Sequence, residues 1–137
     1  MPRSHVIPVL GYPDVGEAIT WLCETFGFTV RWRVGGHRAQ LNVGTGVVAV
    51  TGRAPKKGSR SQAPDDPVDS VMVRIDDVDG HHERARGRGA RILQPPADYP
   101  YGERQYTVED LAGHVWTFSQ SIADVAPEVW GGTSVDL

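Results

Sequence analysis

One order of elements occurs twice along this chain of 137 residues. In each half an apolar strand is followed by a helix and then by three short strands separated by glycine turns. The two helices are predicted to start at Asp14 and Asp77, which are 63 positions apart. They are predicted to end at Gly27 and Gly89, which are 62 positions apart. Two successive β-α-β-β-β modules explain this spacing.

The first helix has the clearest signal. Asp14 is a suitable N-cap, and Gly27 can adopt the left-handed conformation that ends a helix. Between them, apolar residues recur at helical spacing: Val15, Ala18, Ile19, Leu22, Cys23 and Phe26. The pattern predicts an amphipathic helix, with Cys23 packed on its apolar side rather than acting as a catalytic thiol.

The remaining elements follow from alternation and turn residues. Strands are predicted at residues 5–10, 28–34, 37–42, 47–51, 71–75, 91–93, 104–108 and 114–120. A second helix is predicted to begin at Asp77 and close at Gly89, and residues 94–102 are predicted to form a loop rich in Pro and Tyr. We therefore predict one domain over residues 1–137, with modules at about 5–52 and 68–120, a linker at 53–67 and a tail at 121–137.

Charge and cysteine content exclude several classes of protein. The 14 basic and 17 acidic residues give a net charge of −3, so a nucleic acid or an anionic membrane is not expected as a partner. Cys23 is the single cysteine and cannot form an internal disulfide, which is typical of a reducing compartment. With no signal-peptide pattern and no long apolar run, a cytoplasmic location is expected.

Three stretches of the sequence resemble one known family. VLGYPDVGEAITWLCETFGF at 9–28 and VRIDDVDGHHERARGRGA at 73–90 are similar to the two strand-to-helix segments of the glyoxalase / bleomycin-resistance / extradiol-dioxygenase superfamily. YGERQYTVEDLAGHVWTF at 101–118 resembles its closing hairpin, with Leu111 where the family usually has Pro. The resemblance covers residues 5–120. It implies an α+β, glyoxalase-like fold in which tandem modules form a curved mixed sheet around a cleft, commonly completed by a second subunit.

Members of this superfamily that use a metal place its ligands on the first and last strands of each module. Aligned on this chain, those positions fall at Ile7, Val50, Ser70 and Thr117, whose side chains are poor ligands for a divalent ion. His5 could replace Ile7 after a register shift of two residues, but no second ligand accompanies it. No cofactor is therefore expected, and a divalent metal belongs only to the alternative function.

Strand alternation suggests which side chains line the cleft. Met72, Arg74 and Ser119 share a face with Ile7, Ser70 and Thr117, whereas Trp116 and Phe118 should face the helices. Arg74 is expected to face inward from a central strand, where it either meets a ligand anion or pairs with Glu103 or Glu109. A cluster of three tyrosines and Arg104 near the seventh strand suits a planar ligand, or alternatively packs in an interface. The ligand-binding candidates are His5, Met72, Arg74, Tyr99, Tyr101, Arg104, Tyr106 and Thr117.

Two functions remain open at this point. The first is a homodimer that binds a small organic molecule without a metal, similar to the bleomycin-resistance branch of the family. The alternative is a metal-dependent lyase, isomerase or dioxygenase that uses His5. A weaker possibility is metal-free acid–base chemistry by Glu109 or His114. Catalytic residues cannot be assigned from the sequence.

Overall fold

The computed structural model describes residues 6–53 and 69–132. Its elements follow the order β-α-β-β-β twice, as the repeat predicts, and a short 3-10 helix over Pro127–Trp130 comes last. The first module contains β1 (Val9–Tyr12), α1 (Val15–Phe26), β2 (Thr29–Val34), β3 (Arg38–Val43) and β4 (Gly46–Gly52). The second contains β5 (Ser70–Arg74), α2 (Val78–Gly87), β6 (Arg91–Tyr99), β7 (Glu103–Glu109) and β8 (Val115–Ser121). Apart from residue 53, the predicted linker lies outside the described residues.

Each module forms its own four-stranded mixed sheet. The strand order is β1-β4-β3-β2 in the first sheet and β5-β8-β7-β6 in the second. In both sheets the first strand of the module pairs in parallel with the last, and the other pairs are antiparallel. The predicted tandem modules and glyoxalase-like α+β fold are thus confirmed, with the strands divided between two sheets.

Both helices begin where the sequence predicts them. The Asp14 carboxylate accepts a hydrogen bond from the backbone N–H of Glu17 at 3.0 Å, and the Asp77 carboxylate accepts one from Gly80 at 3.0 Å. Helix α1 ends at Gly27, whose φ of 80° lies in the left-handed region. None of the helices within the described segments has the length and apolar character needed to cross a membrane.

The helix-facing sides of the two sheets contribute to a single hydrophobic core. Phe26, at the end of α1, lies at its centre, because its ring is 5.6 Å from Trp116 and 5.0 Å from Phe118 of the other module. All three side chains are at least 97% buried. The modules therefore pack together through the helix side. Neither α1 nor α2 covers the opposite side of each sheet, called here the open face.

A buried carboxylate also joins the modules. Asp110 accepts hydrogen bonds from the Tyr12 hydroxyl at 2.6 Å and from the Trp116 indole N–H at 3.0 Å. The backbone N–H groups of Ala112 and His114 donate to its other oxygen, both at 3.0 Å. Because four donors surround the carboxylate, its burial is compensated, and the end of β1 is held against the β7–β8 turn.

Two strand predictions need correction. The first strand is predicted from residue 5, which lies outside the described residues; within the described residues it starts at Val9. The predicted loop at 94–102 is strand up to Tyr99, with irregular pairing on either side of Gln94. Prolines 95 and 96 are tolerated because β6 is an edge strand, where N–H groups on the outer side need no partner in the sheet.

Candidate functional site

The open face of the second sheet presents mostly polar side chains. Met72 of β5 pairs with Thr117 of β8, and Arg74 pairs with Ser119. Since strand side chains alternate, these four lie on the side opposite the buried Phe118. The predicted division between a helix-facing apolar side and a mixed side is correct for β5 and β8.

A cleft of about 610 Å³ lies on this open face. Strands β5, β7 and β8 form its floor, and the chain that follows β8 forms a wall. Its lining residues are Met72, Arg74, Tyr101, Glu103, Gln105, Ser121, Ala123, Asp124 and Val125. Of the predicted ligand-binding residues, Met72, Arg74 and Tyr101 are therefore brought together.

Two tyrosines and an amide form the aromatic end of the cleft. The rings of Tyr99 and Tyr101 stack at 5.4 Å with an interplanar angle of 18°. The Tyr101 hydroxyl donates to the Gln105 side-chain oxygen at 3.5 Å, and the Gln105 amide donates to the Ser119 hydroxyl at 3.2 Å. Burial, followed by the neighbouring Tyr99 and Glu103, raises the pKa of Tyr101, so its hydroxyl remains a donor.

Arg74 forms an ion pair across the floor of the cleft. Its guanidinium lies 2.7 Å from the Glu103 carboxylate, whereas Glu109 faces Arg91 at 3.7 Å. The prediction that Arg74 faces inward from a central strand is wrong, because β5 is an edge strand and the Arg74 side chain is 72% exposed. The arginine is accommodated because it is both paired and solvated.

Arg104 and Tyr106 lie on the helix-facing side of β7, away from the cleft. Arg104 donates to Asp79 of α2 at 2.9 Å and to Asp98 of β6 at 2.8 Å. Tyr106 is fully buried against Phe118, and burial raises the pKa of its hydroxyl. The predicted cluster of three tyrosines and an arginine is therefore divided between the two sides of the sheet.

His81 of α2 is partly buried against the core and is held neutral there. Its Nε2–H donates to the Phe26 carbonyl at 3.0 Å, since a carbonyl can only accept. Its Nδ1 then accepts from the Tyr106 hydroxyl at 2.5 Å. Burial lowers the pKa of His81 to about 4, although the Phe26 carbonyl opposes the shift. Both ring nitrogens are occupied, so this histidine joins α2 to α1.

The residues at the predicted metal positions do not fit a divalent ion. Ser70 and Thr117 are hydroxyls on the open face, and Val50 is fully buried in the core. The predicted position Val50 is one residue away from the open face, because the neighbouring residue of β4 on that face is Ala49. Within 6–53 and 69–132, no three His, Cys, Asp or Glu side chains are grouped as metal ligands would be. His5 lies outside the described residues.

A smaller hollow of about 360 Å³ adjoins the cleft across β5. Met72 and Arg74 line both spaces, and the turn from Val43 to Gly46 brings the first module to the smaller one. The open face of β5 is therefore continuous with a hollow that the first module lines through Val6, Pro8 and the β3–β4 turn.

Several residues of the cleft are not among the predicted ligand-binding residues. Gln105 could have been found, because it alternates with Tyr106 and so must face the opposite side. Ser121, Ala123, Asp124 and Val125 give no such signal, because the path of the chain after β8 depends on tertiary contacts.

Comparison with known proteins identifies relatives of this fold. The model of the Glyoxalase/Bleomycin resistance protein/Dioxygenase superfamily matches residues 4–118. The crystal structure of TioX from Micromonospora sp. ML1 is 37% identical, covers 90% of this chain and 100% of its own, and has a TM-score of 0.70. An uncharacterized Mycobacterium tuberculosis protein is 27% identical over an alignment of 128 residues that covers 86% of this chain and 75% of that protein. A glyoxalase/bleomycin resistance protein/dioxygenase from Alicyclobacillus acidocaldarius shares the fold, with 12% identity, coverage of 90% and 95%, and a TM-score of 0.68.

Proposed function

The chain belongs to the glyoxalase/bleomycin resistance protein/dioxygenase superfamily, and we propose that it binds a small organic molecule on the open face of its second sheet. The binding needs no metal ion, and a second copy of the chain completes the cleft. The observation that supports this most is the 610 Å³ cleft, which combines an aromatic face, amide and hydroxyl groups and apolar side chains.

The lining suits a planar molecule with a few polar substituents. Tyr101 offers a flat surface that is held in place by its stacking on Tyr99. Gln105 and Ser121 supply amide and hydroxyl groups, and Met72 adapts its shape to apolar atoms. We expect a ligand with an aromatic ring system that is recognised by stacking and by a small number of hydrogen bonds.

A homodimer is proposed because the open face carries exposed apolar side chains. Val9 and Met72 are 56% and 61% exposed, and Val6 beside them is 79% exposed. Within the described residues the helix side of each module is already used in the shared core, and a second copy of the chain would bring a matching apolar surface to the open face. Size-exclusion chromatography with light scattering should give twice the chain mass of 14.9 kDa.

Binding without a metal is proposed because hydroxyl and aliphatic side chains stand at the positions where metal-using relatives have ligands. Elemental analysis of protein purified without chelator should find less than about 0.1 equivalent of any transition metal or zinc. A stoichiometric metal would support the alternative, a metal-dependent lyase, isomerase or dioxygenase. The cytoplasmic location inferred from the single Cys23 remains a prediction.

Ligand screening with a matched pair of variants tests the proposal. Planar aromatic acids, amines, amides and alcohols are screened by thermal shift in EDTA, and hits are measured by isothermal titration. Met72→Lys puts a charge into the cleft, whereas Val34→Lys puts the same charge on a residue of the first sheet with similar exposure, 59% against 61%. We expect at least one hit, weakened tenfold or more by the first variant and unchanged by the second. Equal effects of both variants, or a screen without hits, would refute the proposal.

A further inference from the structure

The cleft carries one negative charge that is not neutralised by any residue within the described part of the chain. Three of its lining residues are charged, namely Arg74, Glu103 and Asp124. The first two pair at 2.7 Å and cancel. Asp124 has neither an ion pair nor a hydrogen bond through its side chain within residues 6–53 and 69–132. The cleft therefore has a net charge of −1, in addition to the polar groups that any neutral ligand could use.

The backbone fixes the position of Asp124. The segment 122–125, called here the C-terminal strap, is bound to the β6–β7 turn, because the N–H groups of Ile122 and Ala123 donate to the Gly102 carbonyl at 2.9 Å and 3.2 Å. Gly102 has a φ of 84°, and a Cβ on it would lie only 2.2 Å from the Ala123 carbonyl oxygen. A glycine is therefore required for this close approach. The strap places Asp124 on the wall of the cleft together with Val125.

We infer that Asp124 determines specificity by selecting aromatic ligands that carry a cationic nitrogen. A protonated amine gains the attraction of the Asp124 carboxylate, while the adjoining face of Tyr101 favours a cation as well. A carboxylate on the same ring system is repelled by Asp124 and finds Arg74 already occupied by Glu103. This inference rests on the proposed binding function and names the class of ligand for that site.

Three probes with one aromatic skeleton test the inference: 2-naphthylmethylamine, 2-naphthalenemethanol and 2-naphthoate. Their affinities are measured by titration followed in ¹H–¹⁵N NMR spectra, so that shifts of Tyr101, Gln105 and Ser121 show whether binding occurs in the cleft. We expect the amine to bind about threefold to fivefold tighter than the alcohol, as for a partly exposed ion pair, and the carboxylate to bind weakest. The preference should decrease as salt is added.

Variants separate this inference from the function on which it rests. Asp124→Asn should bring the amine close to the affinity of the alcohol, because it removes the charge that distinguishes the two probes. The protein should stay folded, since the exposed Asp124 side chain makes no hydrogen bond or ion pair within the described residues. Glu17→Gln removes the same charge from an exposed position in the first turn of α1 and should preserve the preference. Gly102→Ala should reduce the preference by displacing the strap. Equal binding of amine and alcohol to the unmodified protein would overturn the inference alone, whereas failure of all three probes to shift cleft residues would overturn both proposals.

Discussion

Replacing His81 should remove a large part of the acid sensitivity of the fold. In the folded protein burial lowers the pKa of His81 to about 4, compared with 6.5 for the unfolded chain. Between these values the unfolded chain binds a proton that the folded protein does not. Stability from the neutral imidazole is therefore fully present above pH 6.5 and is lost as the pH falls from 6.5 to 4.

The size of this effect follows from the two pKa values. At 1.36 kcal/mol per pKa unit, the difference between 6.5 and about 4 corresponds to about 3.4 kcal/mol. His81 is only partly buried, so solvent screens part of the penalty, and we expect a loss of about 2 kcal/mol. Arg84 lowers the pKa of His81 further and Asp77 raises it, but both effects are smaller than that of burial, so the pKa stays below its ordinary value.

Urea unfolding at pH 7, 6, 5 and 4 measures this loss against His81→Gln, whose amide does not titrate in that range. The variant should be less stable at pH 7, because it disturbs the contacts with Phe26 and Tyr106. The difference in free energy of unfolding should then narrow by about 2 kcal/mol by pH 4. His37→Gln, at an exposed histidine beside the β2–β3 turn, is the control and should keep the acid sensitivity of the unmodified protein. A constant difference between the unmodified protein and His81→Gln would show that the buried imidazole is not the cause.

Three further substitutions test the core and the boundaries of the site. Tyr12→Phe removes one of four donors to buried Asp110 and should lower the free energy of unfolding, measured in urea, by about 2 kcal/mol without changing ligand affinity. An unchanged free energy of unfolding would mean that the modules do not depend on this bond. Phe26→Ala opens a cavity beneath both modules and should lower the free energy of unfolding by about 3–5 kcal/mol, with unfolding still in one cooperative transition. Two separate unfolding transitions would contradict a shared core. Arg104→Ala should leave ligand affinity unchanged by isothermal titration, since Arg104 faces Asp79 and Asp98, and a large affinity loss would place this residue in the site after all.

Local signals were sufficient to predict the modular fold. Asp14 and Gly27 delimit α1 because capping and left-handed glycine depend on neighbouring residues alone. The alternation of Val71, Val73 and Ile75 likewise predicts which side of β5 faces the helices. These features are decided within a few residues of the chain, so tertiary context did not alter them.

The candidate site was harder to predict because it depends on which strand lies at an edge. Arg74 was expected in the interior of a sheet, but the strand order places it beside solvent. Residues 94–99 have loop-like composition and still pair with β7, since an edge strand accommodates proline. Strand order and the path of the strap come from contacts between distant segments, and no local pattern records them.

The hydrogen bond between Tyr12 and Asp110 also limits when the fold can form during synthesis. The two residues are 98 positions apart, so a ribosome adding about 5–20 residues per second makes Tyr12 roughly 5–20 s before its partner exists. Phe26 is synthesised a similar time before its contact residues Trp116 and Phe118. Throughout that time the nascent first module exposes the aromatic surface that its second module will cover, which is the surface a holding chaperone would recognise.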